Sequence, residues 1–86
     1  MELLQEIQLA VGEETYLKKG ILTQTYLVYA GMPGPQVFSL AVIHTRGNNS
    51  SAHNLYWSRN TRQVRIHDRE ISIVDVSDQA IRLTIS

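Results

Sequence analysis

The sequence predicts an all-β fold, a small antiparallel sandwich or barrel of about six to eight short strands. Apolar and polar residues alternate with a period of two along most of the chain. β-Branched and aromatic residues fill these alternating runs, and turn-forming residues separate them. The central runs are apolar on both faces, so burying them requires a second layer or closure into a barrel.

The N-terminal segment admits two readings. A helical stripe is formed by Leu3, Leu4, Ile7, Ala10 and Val11, and Gly12 would end it. Alternatively, Ile7, Leu9 and Val11 form one face of a strand. We favour the strand because Leu9 lies off the helical stripe, and we expect residues 11–16 to form a hairpin turn that leads into a second strand. A helix would instead give an α+β fold with one N-terminal helix on the sheet.

Two long strands are predicted next. Ile21–Ala30 alternates clearly, and residues 31–35, which contain two glycines and two prolines, are expected to end it in a turn. The chain then returns as a strand over Gln36–Thr45. Since this second strand has apolar residues on both sides, we expect it to lie centrally in its sheet.

A polar loop is expected over Gly47–Asn54, which is rich in glycine, asparagine and serine and has few apolar residues for burial. A mobile loop is typical of such composition. A short strand should follow near Leu55–Ser58, and a turn over residues 59–61.

The C-terminal third predicts a three-stranded meander. Its strands are Arg62–His67, with Val64 and Ile66 inward, then Glu70–Val76, and then Ala80–Ile85. The last strand has a single charge and no proline, so as a sheet edge it would be able to pair with its copy in another chain.

Length and composition set the broad class. The 86 residues are sufficient for one domain, residues 1–86. The chain has no cysteine, which excludes disulfides and thiol chemistry and suits a reducing compartment. The N-terminus has no basic region followed by an apolar run, and no apolar run is long enough for a membrane helix. We therefore expect a cytoplasmic protein with no membrane partner.

The charge distribution singles out the stretch from His44 to His67. It contains four arginines and no acidic residue, although the net charge of the chain is zero. The acidic residues lie before and after it, and strand pairing is able to bring Glu70 or Asp75 beside the arginines and neutralise them. The stretch also contains the single tryptophan, Trp57.

Catalytic signatures are absent from the sequence. It has no phosphate-binding glycine loop, no His-Glu-x-x-His, no Gly-x-Ser-x-Gly and no dinucleotide fingerprint. The spacing of the three histidines, His44, His53 and His67, matches no metal-ligand pattern. We therefore expect a protein that is not an enzyme, with no catalytic residue, no metal site and no cofactor.

The candidate binding residues lie in the C-terminal half of the basic stretch: Tyr56, Trp57, Arg59, Arg62, Arg65 and His67. Aromatic and arginine side chains are typical of the centres of protein interfaces. We therefore expect a protein-interaction or self-association module that binds a protein partner or forms a homo-oligomer.

Two alternatives use overlapping residues. The first is a single-stranded nucleic-acid binder, in which the arginines bind phosphates and the aromatics stack on bases. The second is a small-molecule binder with a pocket lined by Tyr26, Tyr29, Phe38 and Trp57. Against both, alternation places Tyr56 and Trp57 on opposite faces of a strand, so Trp57 and the other aromatics are also explained as core residues.

Overall fold

The computed structural model describes residues 6–19, 22–66 and 68–86, and all regular elements of these residues are strands. The strands are β1 (Glu6–Ala10), β2 (Glu14–Lys19), β3 (Thr23–Gly34), β4 (Val37–Arg46), β5 (Asn49–Ser58), β6 (Gln63–Ile66), β7 (Arg69–Val76) and β8 (Ala80–Ile85). They form two four-stranded antiparallel sheets. The predicted all-β class is confirmed, and the architecture is a sandwich.

The first sheet has the order β1-β8-β7-β6 and the second has the order β2-β3-β4-β5. The second sheet is a meander in which each strand pairs with its neighbour in sequence. The first sheet contains the predicted C-terminal meander, and β1 adds to it beside β8, with Ile7 opposite Leu83. The strand reading of residues 7–11 is therefore correct through Ala10, whereas Leu3 and Leu4 lie outside the described residues.

One hydrophobic core fills the space between the sheets. Its buried members come from β1 to β4 and β6 to β8: Leu9, Leu17, Leu27, Tyr29, Phe38, Leu40, Val42, Val64, Ile66, Ile71, Ile73, Val76, Ile81 and Leu83. Alternate residues of each strand contribute, as Val64 and Ile66 do on β6 between exposed neighbours. In the described part of the chain, every buried side-chain nitrogen or oxygen has a hydrogen-bond partner.

Among the described residues, two side chains donate hydrogen bonds from one sheet to the other. The Tyr29 hydroxyl, on the inner face of β3, donates to the Ser77 carbonyl oxygen in the turn between β7 and β8. The Arg69 guanidinium, at the start of β7, donates from Nη1 to the Leu17 carbonyl oxygen of β2 at 2.7 Å and from Nε to the Ser86 carbonyl oxygen at 2.9 Å. The Tyr29–Ser77 and Arg69–Leu17 bonds link the two sheets at separate points, and the bond to Ser86 holds the Arg69 side chain in place.

The predicted turn over residues 31–35 is wrong in position. β3 continues to Gly34, and its register with β4 shifts between Tyr29 and Gly31 and again between Gly31 and Gly34. These irregularities accommodate Pro33, which has no N–H for the ladder, without ending the strand. Gly31 has a φ of 95°, which L side chains rarely adopt.

The predicted hairpin near residues 11–16 is also wrong. β1 and β2 do not pair with each other, because the turn between them carries the chain from one sheet to the other. Gly12 has a φ of 90°, and its N–H donates to the Tyr29 carbonyl oxygen of β3 at 2.8 Å. That bond places the crossing close to the second sheet.

The predicted polar loop over Gly47–Asn54 is a strand for most of its length. β4 and β5 are joined by a two-residue turn, Gly47-Asn48, and they pair in unbroken register from Arg46 and Asn49 to Val37 and Ser58. Backbone hydrogen bonds to β4 hold residues 49–54 in place, and no side-chain burial is needed. β4 is therefore central, as predicted.

We expect Gly47→Ala to lower the free energy of unfolding by about 1 kcal/mol. Gly47 has a φ of 57°, and a Cβ built there would meet no atom within 4 Å, so the cost is conformational and not steric. The matched control is Gly34→Ala, which also places a Cβ in open space but does not have a positive φ. Equal losses for the two variants in urea unfolding would contradict this explanation.

Candidate functional site at the edge of strand β5

The edge of the second sheet formed by β5 is the most exposed part of the described chain. Nine of its ten residues are exposed, and Trp57 is half-buried. The exposure includes the inner face. Leu55 on that face is 37% exposed to solvent, whereas its partner on β4, Leu40, is fully buried. β5 therefore projects beyond the cover that the other sheet gives to β4.

The apolar residues of β5 are divided between its faces. Tyr56 is on the outer face and is 58% exposed. Trp57 is on the inner face, and its ring centroid lies 5.6 Å from that of buried Phe38. The opposite orientations of Tyr56 and Trp57 agree with the alternation in the sequence, and Trp57 packs against the core while remaining partly accessible.

The backbone of β5 has a free side. The Arg59 N–H donates to the Gln36 carbonyl oxygen at 2.8 Å, just beyond the pair Ser58 and Val37. In an antiparallel ladder, hydrogen-bonded and non-hydrogen-bonded pairs alternate. The odd-numbered residues of β5 therefore direct their N–H and C=O groups toward β4. The even-numbered residues direct theirs away from the sheet, and these are Ser50, Ala52, Asn54, Tyr56 and Ser58. The Ser58 carbonyl oxygen already accepts from the Thr61 N–H at 2.9 Å.

The other three edge strands formed by the described residues carry features that obstruct pairing. β1 has five residues and carries Glu6, and β6 has four residues and carries Arg65. β2 contains charged residues, and its register with β3 shifts between Tyr16 and Lys18. Short length, charge and irregularity all limit the addition of another strand to an edge.

β5 carries none of these protections. It has ten residues, no Asp, Glu, Lys or Arg, no proline and no register shift. The strand that the sequence suggested as an open edge, Ala80–Ile85, is instead β8, which lies between β1 and β7. The expectation of an edge at Ala80–Ile85 is therefore wrong, because β1 covers it.

The four arginines of the basic stretch belong to different elements of the fold. Arg46 ends β4 opposite Asn49, and Arg59 follows the far end of β5, so the length of the strand, about 30 Å, separates them. Arg59 is exposed and donates from Nη1 to the Pro35 carbonyl oxygen at 3.4 Å. Arg62 and Arg65 belong to the connection into β6 and to β6 itself, in the other sheet.

Acidic residues approach two of the predicted basic positions. Arg65 lies opposite Glu70 in the register of β6 and β7, and the Glu70 carboxylate accepts a hydrogen bond from Gln63 Nε2 at 3.0 Å. Arg59 lines an open cavity of about 500 Å³ together with Asp78. Asp75 instead lies 3.9 Å from Arg82. His67, the remaining predicted binding residue, lies outside the described residues.

The aromatic residues considered for a small-molecule pocket have separate locations. Tyr29 and Phe38 are fully buried in the core. Tyr26 is on the outer face of β3, where its ring centroid lies 4.7 Å from that of Tyr16. The pKa of Tyr26 is raised, mainly by a hydrogen bond with Tyr16 and to a lesser degree by burial. These positions agree with the interpretation of most of the aromatics as packing residues.

A shallow depression borders the outer face of β5. It has a volume of about 220 Å³ and is lined by Ala30, Met32, Pro33, Ser39, Asn54 and Tyr56. The register shifts of β3 place residues 30–33 beside it.

No helix that could cross a bilayer occurs in the described part of the chain. Within residues 6–19, 22–66 and 68–86, no group of three His, Cys, Asp or Glu side chains is arranged to hold a metal ion.

The fold and the β5 edge define a class of protein, a small antiparallel β-sandwich with an accessible sheet edge. No protein-family model, no curated protein and no solved structure matches the chain.

Sequence reasoning missed residues 49–54 of this site. It relied on alternation, and alternation is absent where both faces of a strand are exposed. The signal that was present is the pair Gly47-Asn48 directly after the apolar strand β4, because Gly-Asn is typical of two-residue hairpin turns.

Proposed function

We propose that this chain is a non-enzymatic protein-interaction module, and that its contact surface is the free edge of β5 with the exposed side chains beside it. The observation that carries the proposal is the combination of length, regularity and absence of charge in this edge strand. Such an edge is a template for pairing with another extended chain. A cytoplasmic location is part of the proposal, and the composition without cysteine suits it.

Main-chain pairing and side-chain contacts would act together at this surface. The N–H and C=O groups of Ser50, Ala52, Asn54 and Tyr56 and the N–H of Ser58 supply hydrogen bonds for an added strand, since the Ser58 C=O is bonded to Thr61. Tyr56 on the outer face and Leu55 on the inner face supply apolar contact area on both sides of it. Trp57, packed on Phe38, anchors the end of the strand to the core.

The geometry favours protein binding over the nucleic-acid alternative. A phosphate backbone requires neighbouring cations along its path. Here the arginines of the basic stretch are spread over both sheets, and Glu70 lies opposite Arg65. The exposed aromatic residue Tyr56 lies on a strand without charge.

The test is amide hydrogen exchange in the presence of a synthetic peptide with the sequence of β5, at a chain concentration low enough to keep the chain monomeric. We expect the amides of Ala52, Asn54 and Tyr56 to exchange at least about tenfold more slowly when the peptide is added, because pairing protects outward N–H groups. The amides of His53 and Leu55 already bond to β4 and should change little.

The control is the same peptide with proline at the positions of Ala52, Asn54 and Tyr56, which cannot donate along a ladder. Equal exchange rates with the two peptides would overturn the proposal. Exchange that slows at His53 and Leu55 as much as at the outward amides would also overturn it, because general stabilisation would then explain the protection.

A further inference from the structure

We propose that the strand added to β5 is the β5 of a second copy of this chain, paired antiparallel about a two-fold axis at Asn54. The inference rests on the proposed function and specifies its partner and register. The two second sheets would then join into one continuous eight-stranded sheet with the order β2-β3-β4-β5 followed by the same strands in reverse.

Charge makes a second copy a suitable occupant. A strand that meets its own copy places identical residues near one another, so any charge near the axis would repel its equivalent. β5 has no Asp, Glu, Lys or Arg along its ten residues. The nearest arginines, Arg46 and Arg59, lie beyond its two ends.

The symmetric placement of the outward-facing residues favours one register. The five outward-facing residues, Ser50, Ala52, Asn54, Tyr56 and Ser58, are symmetric about Asn54. Centring the pair there places Ala52 opposite Tyr56 of the copy and Ser50 opposite its Ser58, so all five outward residues have outward partners. Of their backbone groups, the Ser58 C=O is already bonded to the Thr61 N–H. Centring on His53 would place Ser58 opposite Asn48, which is in the turn.

Side-chain size agrees with this register on both faces. On the outer face, Tyr56 would lie opposite Ala52 of the copy, and the two Asn54 amides would meet at the axis. On the inner face, Trp57 would lie opposite Ser51 of the copy, and Leu55 would lie opposite its His53. Each large side chain thus faces a smaller or shorter one.

The assembly is closed. A two-fold contact uses the same edge on both copies and leaves no second β5 edge available. The edges that remain, β1, β2 and β6, are short, charged or irregular. We therefore expect a dimer and not a filament.

The first measurement is sedimentation of the chain and of charge variants at Asn54. The unaltered chain should have twice its 9.8 kDa mass. Asn54→Lys and Asn54→Asp should each weaken the dimer about tenfold, because each places like charges face to face at the axis. Mixing the two variants should restore the dimer. Gln8→Lys, which adds the same charge on exposed β1, should leave the dimer mass unchanged.

The second measurement is disulfide formation in a chain that has no cysteine of its own. Hydrogen-bonded antiparallel partners have Cα atoms about 5.5 Å apart, which is within the range for a disulfide. Oxidised Asn54→Cys should therefore link to its copy. Ser50→Cys on the same strand should not, because its partner in this register is Ser58.

The outcomes separate the inference from the function on which it rests. A monomeric chain whose edge amides are still protected by the β5 peptide would overturn the second copy and leave strand binding in place. A dimer in which Ser50→Cys links as readily as Asn54→Cys, or in which mixing the charge variants restores nothing, would overturn the register. A monomer with unprotected edge amides would overturn both proposals.

Discussion

Leu40→Ala is expected to lower the free energy of unfolding by about 2–5 kcal/mol. Leu40 is fully buried in the central strand β4, where its inner face meets the core. Deleting three carbons there removes apolar burial and leaves a cavity that rigid strands on both sides cannot close. Domains of this size have a total stability of about 4–13 kcal/mol, so the variant is expected to lose a large part of it.

The matched control is Leu55→Ala, the same substitution in the cross-strand partner of Leu40. Because Leu55 is 37% exposed, we expect Leu55→Ala to lower the free energy of unfolding by less than about half as much as Leu40→Ala does. Urea unfolding followed by the fluorescence of the single tryptophan measures both, at concentrations low enough to keep the chain monomeric. Equal losses would mean that β5 is covered in solution and would contradict its exposure.

Tyr29→Phe is expected to lower the free energy of unfolding by about 1–2 kcal/mol at neutral pH. The ring is fully buried, and its hydroxyl donates to the Ser77 carbonyl oxygen across the two sheets. Phenylalanine keeps the packing and leaves that carbonyl without its donor. Tyr56→Phe, which removes an exposed hydroxyl, is the control and should change stability by less than about 0.5 kcal/mol.

The same residue predicts a loss of stability at alkaline pH. Burial, and to a lesser degree Asp78, raises the pKa of Tyr29 above its ordinary value of 10.0, whereas Arg59 lowers it. Above pH 10 the unfolded chain releases this proton while the folded chain retains it, so the unfolded state gains stability as pH rises. The loss of unfolding free energy begins at about pH 10 and is complete above the raised pKa of Tyr29.

Tyr29→Phe should remove this part of the pH dependence, whereas Tyr56→Phe should not. Unfolding measured in urea at neutral pH and at several values above pH 10 gives the comparison. The stability of Tyr29→Phe should therefore decline less steeply than that of the unaltered chain. If the stability of Tyr29→Phe and that of the unaltered chain declined in parallel, the folded state would not retain the Tyr29 proton, which would contradict the raised pKa.

Alternation in the sequence was a sound guide wherever one face of a strand meets the core. It located β8 with both of its ends, Ala80 and Ile85, and it placed Val64 and Ile66 inward on β6. These positions are predictable because burial imposes a period of two on side chains. The central position of β4 followed from its two apolar faces in the same way.

Pairing partners were less predictable, because backbone hydrogen bonds carry no side-chain signal. The sequence did not reveal that β1 joins β8 and not β2, or that Pro33 lies in a strand with shifted register. Arg69 lies outside the strands that the sequence predicts, yet it begins β7 and links this strand to the Leu17 carbonyl. Such contacts depend on which sheet each strand enters.

Only part of the candidate site was predictable, because backbone pairing at a sheet edge leaves no side-chain pattern in the sequence. Tyr56 and Trp57 were correctly placed on opposite faces of a strand. The free edge was not found, since Asn49–Asn54 has no apolar alternation to indicate a strand. The arginines of the stretch looked continuous in sequence, but the crossing between sheets after β5 separates Arg46 from Arg65.

The pairing of β1 with β8 has a consequence for how the chain folds. The second sheet can assemble from successive hairpins, whereas the first sheet is complete only when Ala10 meets Ala80 and Glu6 meets Thr84. Contacts between residues so distant in sequence require closure of a long loop, which slows folding. During synthesis on the ribosome, β1 must therefore wait until β8 has emerged, and one backbone edge of β8 stays unpaired until β1 joins it.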